Sequence, residues 1–296
     1  MRSQDLFIQN RIKNKKPLLL DGAIGTYLFE LGFKQDQHLW FSYLNITNPD
    51  AIVALHKEYI DAGADIITAN TFRTNPSAKK KSNLAITNTE FVKESVKLAL
   101  QARGESNLLL AGSNAPAEDC YQKDRTISPF DLEYNHKKHI ELLYESGCDV
   151  IWNETQSHLD EIEIICKFCS YNSIPYSINI YFDDSLHILS GHNLKTTIEL
   201  IGSYSPQSIG FNCVKIEHLK KYLDNFSLPM RFGFYLNCHE SNVTDSEMRC
   251  KITPQNYLEL VEDFLTDDLL FIGSCCGSTP MHTKVLKKHV DEIYRN

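Results

Sequence analysis

Val150-Ile151-Trp152-Asn153-Glu154-Thr155 reads as a short apolar strand that runs into a carboxylate and a hydroxyl. It lies between two segments with helical spacing, residues 131–146 and 159–171. The same strand-then-helix unit recurs along the chain. Apolar runs bounded by turn signals fall at 18–20, 66–69, 108–111, 150–152, 177–182, 208–211, 232–236 and 269–272. Helical spacing fills the gaps at 49–62, 89–103, 131–146, 159–171, 195–203, 217–225 and 254–265, and a last helix at 280–294 opens on a proline, as helix starts prefer. In the helices at 159–171 and 280–294 the apolar stripes read as Leu159, Ile162, Ile165 and as Val285, His289, Ile293.

Eight strand–helix units without a linker or a shift of composition predict an α/β fold, a (β/α)8 TIM barrel. It is expected to be one domain over 1–296, with residues 1–16 as a polar N-terminal extension. A doubly wound open sheet would need a Gly-rich phosphate loop after the first strand, and Asp21-Gly22-Ala23-Ile24-Gly25 supplies none.

Bulk properties narrow the function. Apolar residues make up 42% of the 296, enough for a sizeable core, and the net charge of −8 argues against nucleic acid, whose binding rests on neutralising phosphates. The single basic run, Lys79-Lys80-Lys81, reads as a solvated loop. No segment approaches the roughly 20 apolar residues that cross a bilayer, and the polar start lacks the apolar stretch of a secretory signal. Nine cysteines are an odd number, which suits a reducing, cytoplasmic setting with free or metal-bound thiols.

In a barrel of this kind chemistry sits at the C-terminal ends of the strands. Those ends carry Asp21-Gly22, Asn70-Thr71-Phe72, Gly112-Ser113, Glu154-Thr155, Asn212-Cys213, Asn237 with Glu240 nearby, and Cys275-Cys276. Cys213 closes Ile209-Gly210-Phe211-Asn212, and the cysteine pair stands between Gly273-Ser274 and Gly277. Three thiolates converging from neighbouring strand ends would hold one Zn2+ and leave its fourth tetrahedral position open. A substrate thiol in that position loses its proton at neutral pH and becomes a nucleophile. Asp21 and Glu154 are placed to hold a substrate ammonium, and Trp40, Phe41, Tyr43 and Phe72 are expected to wall a cationic donor. His56, His136 and His139 lie in helical stretches and are expected at the surface, whereas the role of His239 is open. Cys166 and Cys169 share a helix face as core or surface thiols, and Cys120, Cys148, Cys238 and Cys250 receive no role.

From about residue 18 to about 286 the chain resembles the homocysteine S-methyltransferase family. Gly210-Phe211-Asn212-Cys213 and Gly273-Ser274-Cys275-Cys276-Gly277-Ser278-Thr279-Pro280 carry the resemblance. Asp21-Gly22-Ala23-Ile24-Gly25-Thr26, 62–67, Asn70-Thr71-Phe72, Glu154-Thr155, Leu39-Trp40 and Asn48-Pro49 support it. The resemblance implies Cys213, Cys275 and Cys276 as the zinc ligands and catalytic centre. It implies that Asp21 and Glu154 help hold the amino-acid end of homocysteine, with Gly22, Asn70, Asn237 and Trp40 as further substrate-binding residues and Trp40 near the donor.

The implied reaction moves a methyl group from S-methylmethionine or S-adenosylmethionine to L-homocysteine, giving methionine. Betaine, a corrinoid protein acting in trans, and a non-catalytic homocysteine-binding role are the alternatives. Ser274 replaces a family glycine, Tyr235-Leu236-Asn237-Cys238 departs from the family pattern, and the segment 237–254 is divergent.

Overall fold

The short apolar runs become strands because, in a parallel sheet covered on both faces, every position is buried. They are β1 (Leu18–Leu19), β2 (Ile66–Ala69), β3 (Leu109–Asn114), β4 (Val150–Gln156), β5 (Tyr176–Ile180), β6 (Ser208–Asn212), β7 (Phe232–Leu236) and β8 (Leu269–Ser274). All are parallel, in the order β1-β8-β7-β6-β5-β4-β3-β2, and a parallel bridge from Leu20 to Ile66 closes the ring. The fold is a (β/α)8 barrel. This computed structural model describes residue 13, residues 15–238 and residues 252–294. Most of the expected N-terminal extension lies outside the described residues, as do His239, Glu240 and Cys250.

The helices are α1 (Gly25–Glu30), α2 (Leu44–Thr47), α3 (Pro49–Asp61), α4 (Pro76–Lys81), α5 (Asn88–Arg103), α6 (Pro129–Glu145), α7 (Leu159–Tyr171), α8 (Leu194–Ser203), α9 (Ile216–Asn225), α10 (Pro254–Val261) and α11 (Pro280–Ile293). Starts are set locally. Proline stands in the first turn of α3, α4, α6, α10 and α11, and Asn75, Thr87, Ser128, Asn193 and Thr253 accept from first-turn N–H groups.

Several expectations are corrected. Lys79, Lys80 and Lys81 form the last turn of α4, where cations meet the negative end of the helix dipole, rather than a loop. The expected helix at 254–265 is α10 followed by a 3-10 turn, Glu262–Phe264. On α11 the buried residues are His282, Thr283, Leu286 and Val290; of the expected stripe, Val285 packs against the core from its edge, whereas Ile293 is half exposed. His56, His136 and His139 are fully buried, because they lie on the faces of α3 and α6 that pack inward.

Strand alternation builds two cores. One face of each strand, with Ile67, Leu110, Ile151, Ile178, Ile209 and Phe234 among its residues, packs under the helices. The other fills the barrel with Leu18, Leu20, Ile66, Ala111, Trp152, Tyr235 and Phe271. Phe271 fits because β7 offers a glycine beside it: a Cβ on Gly233 would stand 2.3 Å from its ring. Among the described residues no helix is long and apolar enough to cross a membrane.

Candidate active site

Cys213 directly follows β6, with its backbone at φ 56°, a left-handed conformation unusual for a residue other than glycine. Cys275 and Cys276 directly follow β8. The end of β7 lies between and stitches both groups: Cys213 N–H donates to Tyr235 O at 3.3 Å and Cys275 N–H to Leu236 O at 2.7 Å. Cys238 N–H reaches Cys276 O at 2.9 Å. The result gathers three sulfurs. Cys213 Sγ lies 2.8 Å from Cys275 Sγ, Cys275 Sγ lies 4.0 Å from Cys276 Sγ, and all three fall within 4.8 Å of one another.

An outer ring of donors supports them. Asn212 Nδ2 points at Cys213 Sγ from 3.4 Å, and Thr155 Oγ1 from 3.9 Å. Asn212 Oδ1 in turn accepts from Thr155 N–H at 2.8 Å, and Thr155 is itself left-handed at φ 55°. Hydrogen bonds from Cys213 and Cys275 hold the Cys276 thiol well below its ordinary pKa, whereas Cys275, bonded to both neighbours and buried, is pushed well above. The donor set fits a soft, tetrahedral divalent ion with one position left for a substrate.

Two carboxyl groups share the cavity. Asp21 is buried after β1 and accepts from Thr68, through N–H at 2.7 Å and Oγ1 at 3.0 Å; burial still pushes its pKa well up. Glu154 lies within β4 rather than beyond it, and accepts from Ser113 Oγ and from Tyr235 O–H at 3.2 Å. Burial raises its pKa to about 7. Neither carboxyl pairs with a cation among the described residues, so each stands ready for a positive ligand.

The cavity measures about 480 Å3 and is lined by the three cysteines and both carboxylates, with Gly22, Trp40 and Asn70 also on its wall. Gly22 is required there, since a Cβ would stand 2.7 Å from Ser278 Oγ and 2.8 Å from the Tyr59 ring. Asn70 turns its Nδ2 to Phe41 O at 3.1 Å and Asn45 Oδ1 at 3.0 Å, so its amide N–H groups brace the neighbouring loop. Asn237 sits behind the wall, donating to Cys213 O at 3.0 Å. Of the four expected aromatics, Trp40 and Phe72 line the cavity with ring centroids 5.5 Å apart; Phe41 is buried beneath and Tyr43 lies off the wall. Trp40 is left-handed at φ 52° and covers Gly25, where a Cβ would stand 2.5 Å from its ring.

Sequence reasoning placed Ser113 at a strand end without a role, and it missed Thr68, Tyr235 and the loop at 117–121, all on the cavity wall. For Thr68 and Ser113 a signal existed. They continue the inward alternation of Ile66 and of Leu109 and Ala111, the parity that also delivers Glu154 after Val150 and Trp152.

Comparison with known proteins bears on this site. A family profile described as "Homocysteine S-methyltransferase" matches residues 18–290. The chain is similar to the homocysteine S-methyltransferase of Escherichia coli (strain K12), 25% identical, over 91% of this chain and 94% of that one. It is similar also to the betaine-homocysteine S-methyltransferase of Drosophila melanogaster, 25% identical, over 86% and 88%. Among solved structures, the metallated form of the homocysteine methyltransferase MmuM from Escherichia coli superposes with a TM-score of 0.77 at 25% identity, covering 95% of this chain and 99% of that one.

Proposed function

Since the chain belongs to the homocysteine S-methyltransferase family, we propose that this methyltransferase moves a methyl group to the thiol of L-homocysteine from a small sulfonium donor. S-methylmethionine and S-adenosylmethionine are the first candidates. The observation that carries this reading is the meeting of three cysteine sulfurs and two cation-ready carboxyl groups on one cavity wall.

Asp21 and Glu154 would take the substrate ammonium. A cation between them offsets the burial that holds both carboxyl groups up the pH scale, so binding ionises them and fixes the amino-acid end. Ser113, Thr68 and Tyr235 keep the two groups aimed. Zinc is the ion we assign to Cys213, Cys275 and Cys276, and when bound it would supply the acidity that makes a nearby thiol a thiolate at neutral pH.

The homocysteine sulfur then attacks the donor methyl carbon in line. A carbon–sulfur bond forms as the methyl–heteroatom bond of the donor breaks, and its electron pair stays on the donor atom, which becomes neutral. No side chain has to take a proton during this step. The aromatic faces of Trp40 and Phe72 receive the donor cation, and the protein contributes alignment. Free thiols at Cys120, Cys148, Cys166, Cys169, Cys213, Cys275 and Cys276 suit a reducing, cytoplasmic setting.

The test is methionine formation by zinc-loaded, reduced protein given homocysteine with S-methylmethionine, S-adenosylmethionine or betaine in separate assays. Turnover with a sulfonium donor is expected. Cys276→Ala should keep the fold by circular dichroism and lose at least ~100-fold in turnover, since catalytic metal ligands commonly carry effects of this size or more. Undiminished turnover in that variant would refute the three-cysteine centre.

A further inference from the structure

The cavity has a second charged corner to which methyl transfer itself assigns no role. Arg73 follows the end of β2 and lines the same cavity as the three cysteines. Its guanidinium is fixed from two sides. Nη1 donates to Glu118 O at 2.6 Å and Pro116 O at 3.4 Å, and the guanidinium carbon stands 5.3 Å from the centroid of the Phe72 ring. The backbone is tied as well, through Arg73 N–H to Ser42 Oγ at 3.2 Å. Nε and Nη2 make no hydrogen bond among the described residues.

Nor does a carboxylate among the described residues neutralise the guanidinium there. Glu118 is turned back on its own loop, accepting from Thr126 N–H at 2.7 Å and Ile127 N–H at 3.2 Å. Asp119 accepts from Tyr121 N–H at 2.8 Å. Arg73 is therefore a held, unpaired fork on a cavity wall, and a fork of N–H groups matches a carboxylate bidentately.

We propose that Arg73 is the carboxylate subsite for the methyl donor, which makes the donor a zwitterion bearing both a methylated cation and a carboxylate; this rests on the methyl-transfer reading above. The arrangement of charge supports it. Asp21 and Glu154 line one part of the cavity and repel a second carboxylate, while Arg73 draws it to the side of Phe72. The donor cation is left against Trp40 and Phe72, so one molecule satisfies the aromatic faces and the guanidinium together. A sulfonium without a carboxylate leaves the fork unpaired and brings two like charges close. A site built to bond a polar group discriminates strongly against an analogue lacking it.

The experiment compares dimethylsulfonioacetate with trimethylsulfonium as donors, at saturating homocysteine, for the native protein, Arg73→Lys and Arg73→Gln. The donors differ in intrinsic reactivity, and that difference cancels when native and variant proteins are compared. Arg73→Gln is expected to lower kcat/KM for dimethylsulfonioacetate, through KM, by at least ~10-fold more than for trimethylsulfonium, with Arg73→Lys in between. Equal losses with both donors would overturn the proposal and leave Arg73 as a brace between loops. No methionine from any donor in the native protein would instead sink the methyl-transfer reading. Tryptophan fluorescence titrated with dimethylsulfonioacetate then decides the subsite: saturable quenching that Arg73→Gln weakens supports it, and quenching indifferent to the substitution overturns it.

Discussion

At Glu154 the chain places a partly buried carboxyl group on the cavity wall and gives it two hydroxyl donors but, among the described residues, no cation. An isolated buried anion is costly, so the partner it lacks has to arrive with the substrate. Glu154→Gln keeps the shape and removes the charge. Homocysteine KM should then rise by ~10-fold or more, the value expected for a lost charge-assisted bond, while the donor KM moves little. Steady-state kinetics with each substrate varied in turn checks this, and a KM effect confined to the donor would reassign the residue. Much of the site was readable at this scale, because a carboxylate or a cysteine just past a buried apolar run has no packing reason to be there. Arg73 was not readable in the same way. A charged residue just past a strand end is common, and only the cavity shows that this one faces inward.

Between elements, the least expected feature is the polar network where α6 and α7 meet β3 and β4. Asn114 Oδ1 lies 2.8 Å from His139 Nδ1, whose other nitrogen lies 2.9 Å from Thr74 Oγ1. Asn114 Nδ2 also donates to Asn153 Oδ1 at 2.7 Å, and His136 Nε2 lies 2.9 Å from Glu161 Oε1. Glu161 further accepts from Ala117 N–H at 2.9 Å, and so anchors the start of the loop that carries Glu118 to Tyr121 onto the cavity wall.

Burial opposes the charge on Glu161, yet His136, Ala117 N–H and Arg125 bring its pKa down to about 2. A folded value below the ordinary 4.5 means the stabilisation is present above about pH 4.5 and is lost as pH falls toward 2. The shift corresponds to about 3 kcal/mol at neutral pH as an order of magnitude. Glu161→Gln should lower the denaturant midpoint at pH 7 and flatten its fall between pH 5 and 3; parallel native and variant curves would contradict this. Periodicity revealed the eight strands and the long helices, since burying one face fixes their spacing. It could not reveal buried histidines, because an imidazole on a helix resembles a surface residue until the elements packed against it are known. The short α1, α2 and α4 escaped for a similar reason, each being too brief to show a period.

Across the whole molecule, the ring of strands is fastened at its C-terminal rim by residues distant in sequence: Cys213 beside Cys275, and Cys238 N–H on Cys276 O. An ion shared by β6 and β8 would tie two barrel staves across β7, and binding to the folded state alone adds to stability. Stripping metal with a chelator should lower Tm by ~5 °C or more, with one equivalent of metal released per chain and recovery on zinc addition; scanning fluorimetry with a colorimetric zinc assay measures both. An unchanged Tm with metal removed would mean that the rim is held by the backbone alone.

The same rim also governs the order of events in time. On the direct transfer proposed above, homocysteine and donor would share the chamber of about 480 Å3. Both would then have to be resident at once, and turnover would pass through a ternary complex.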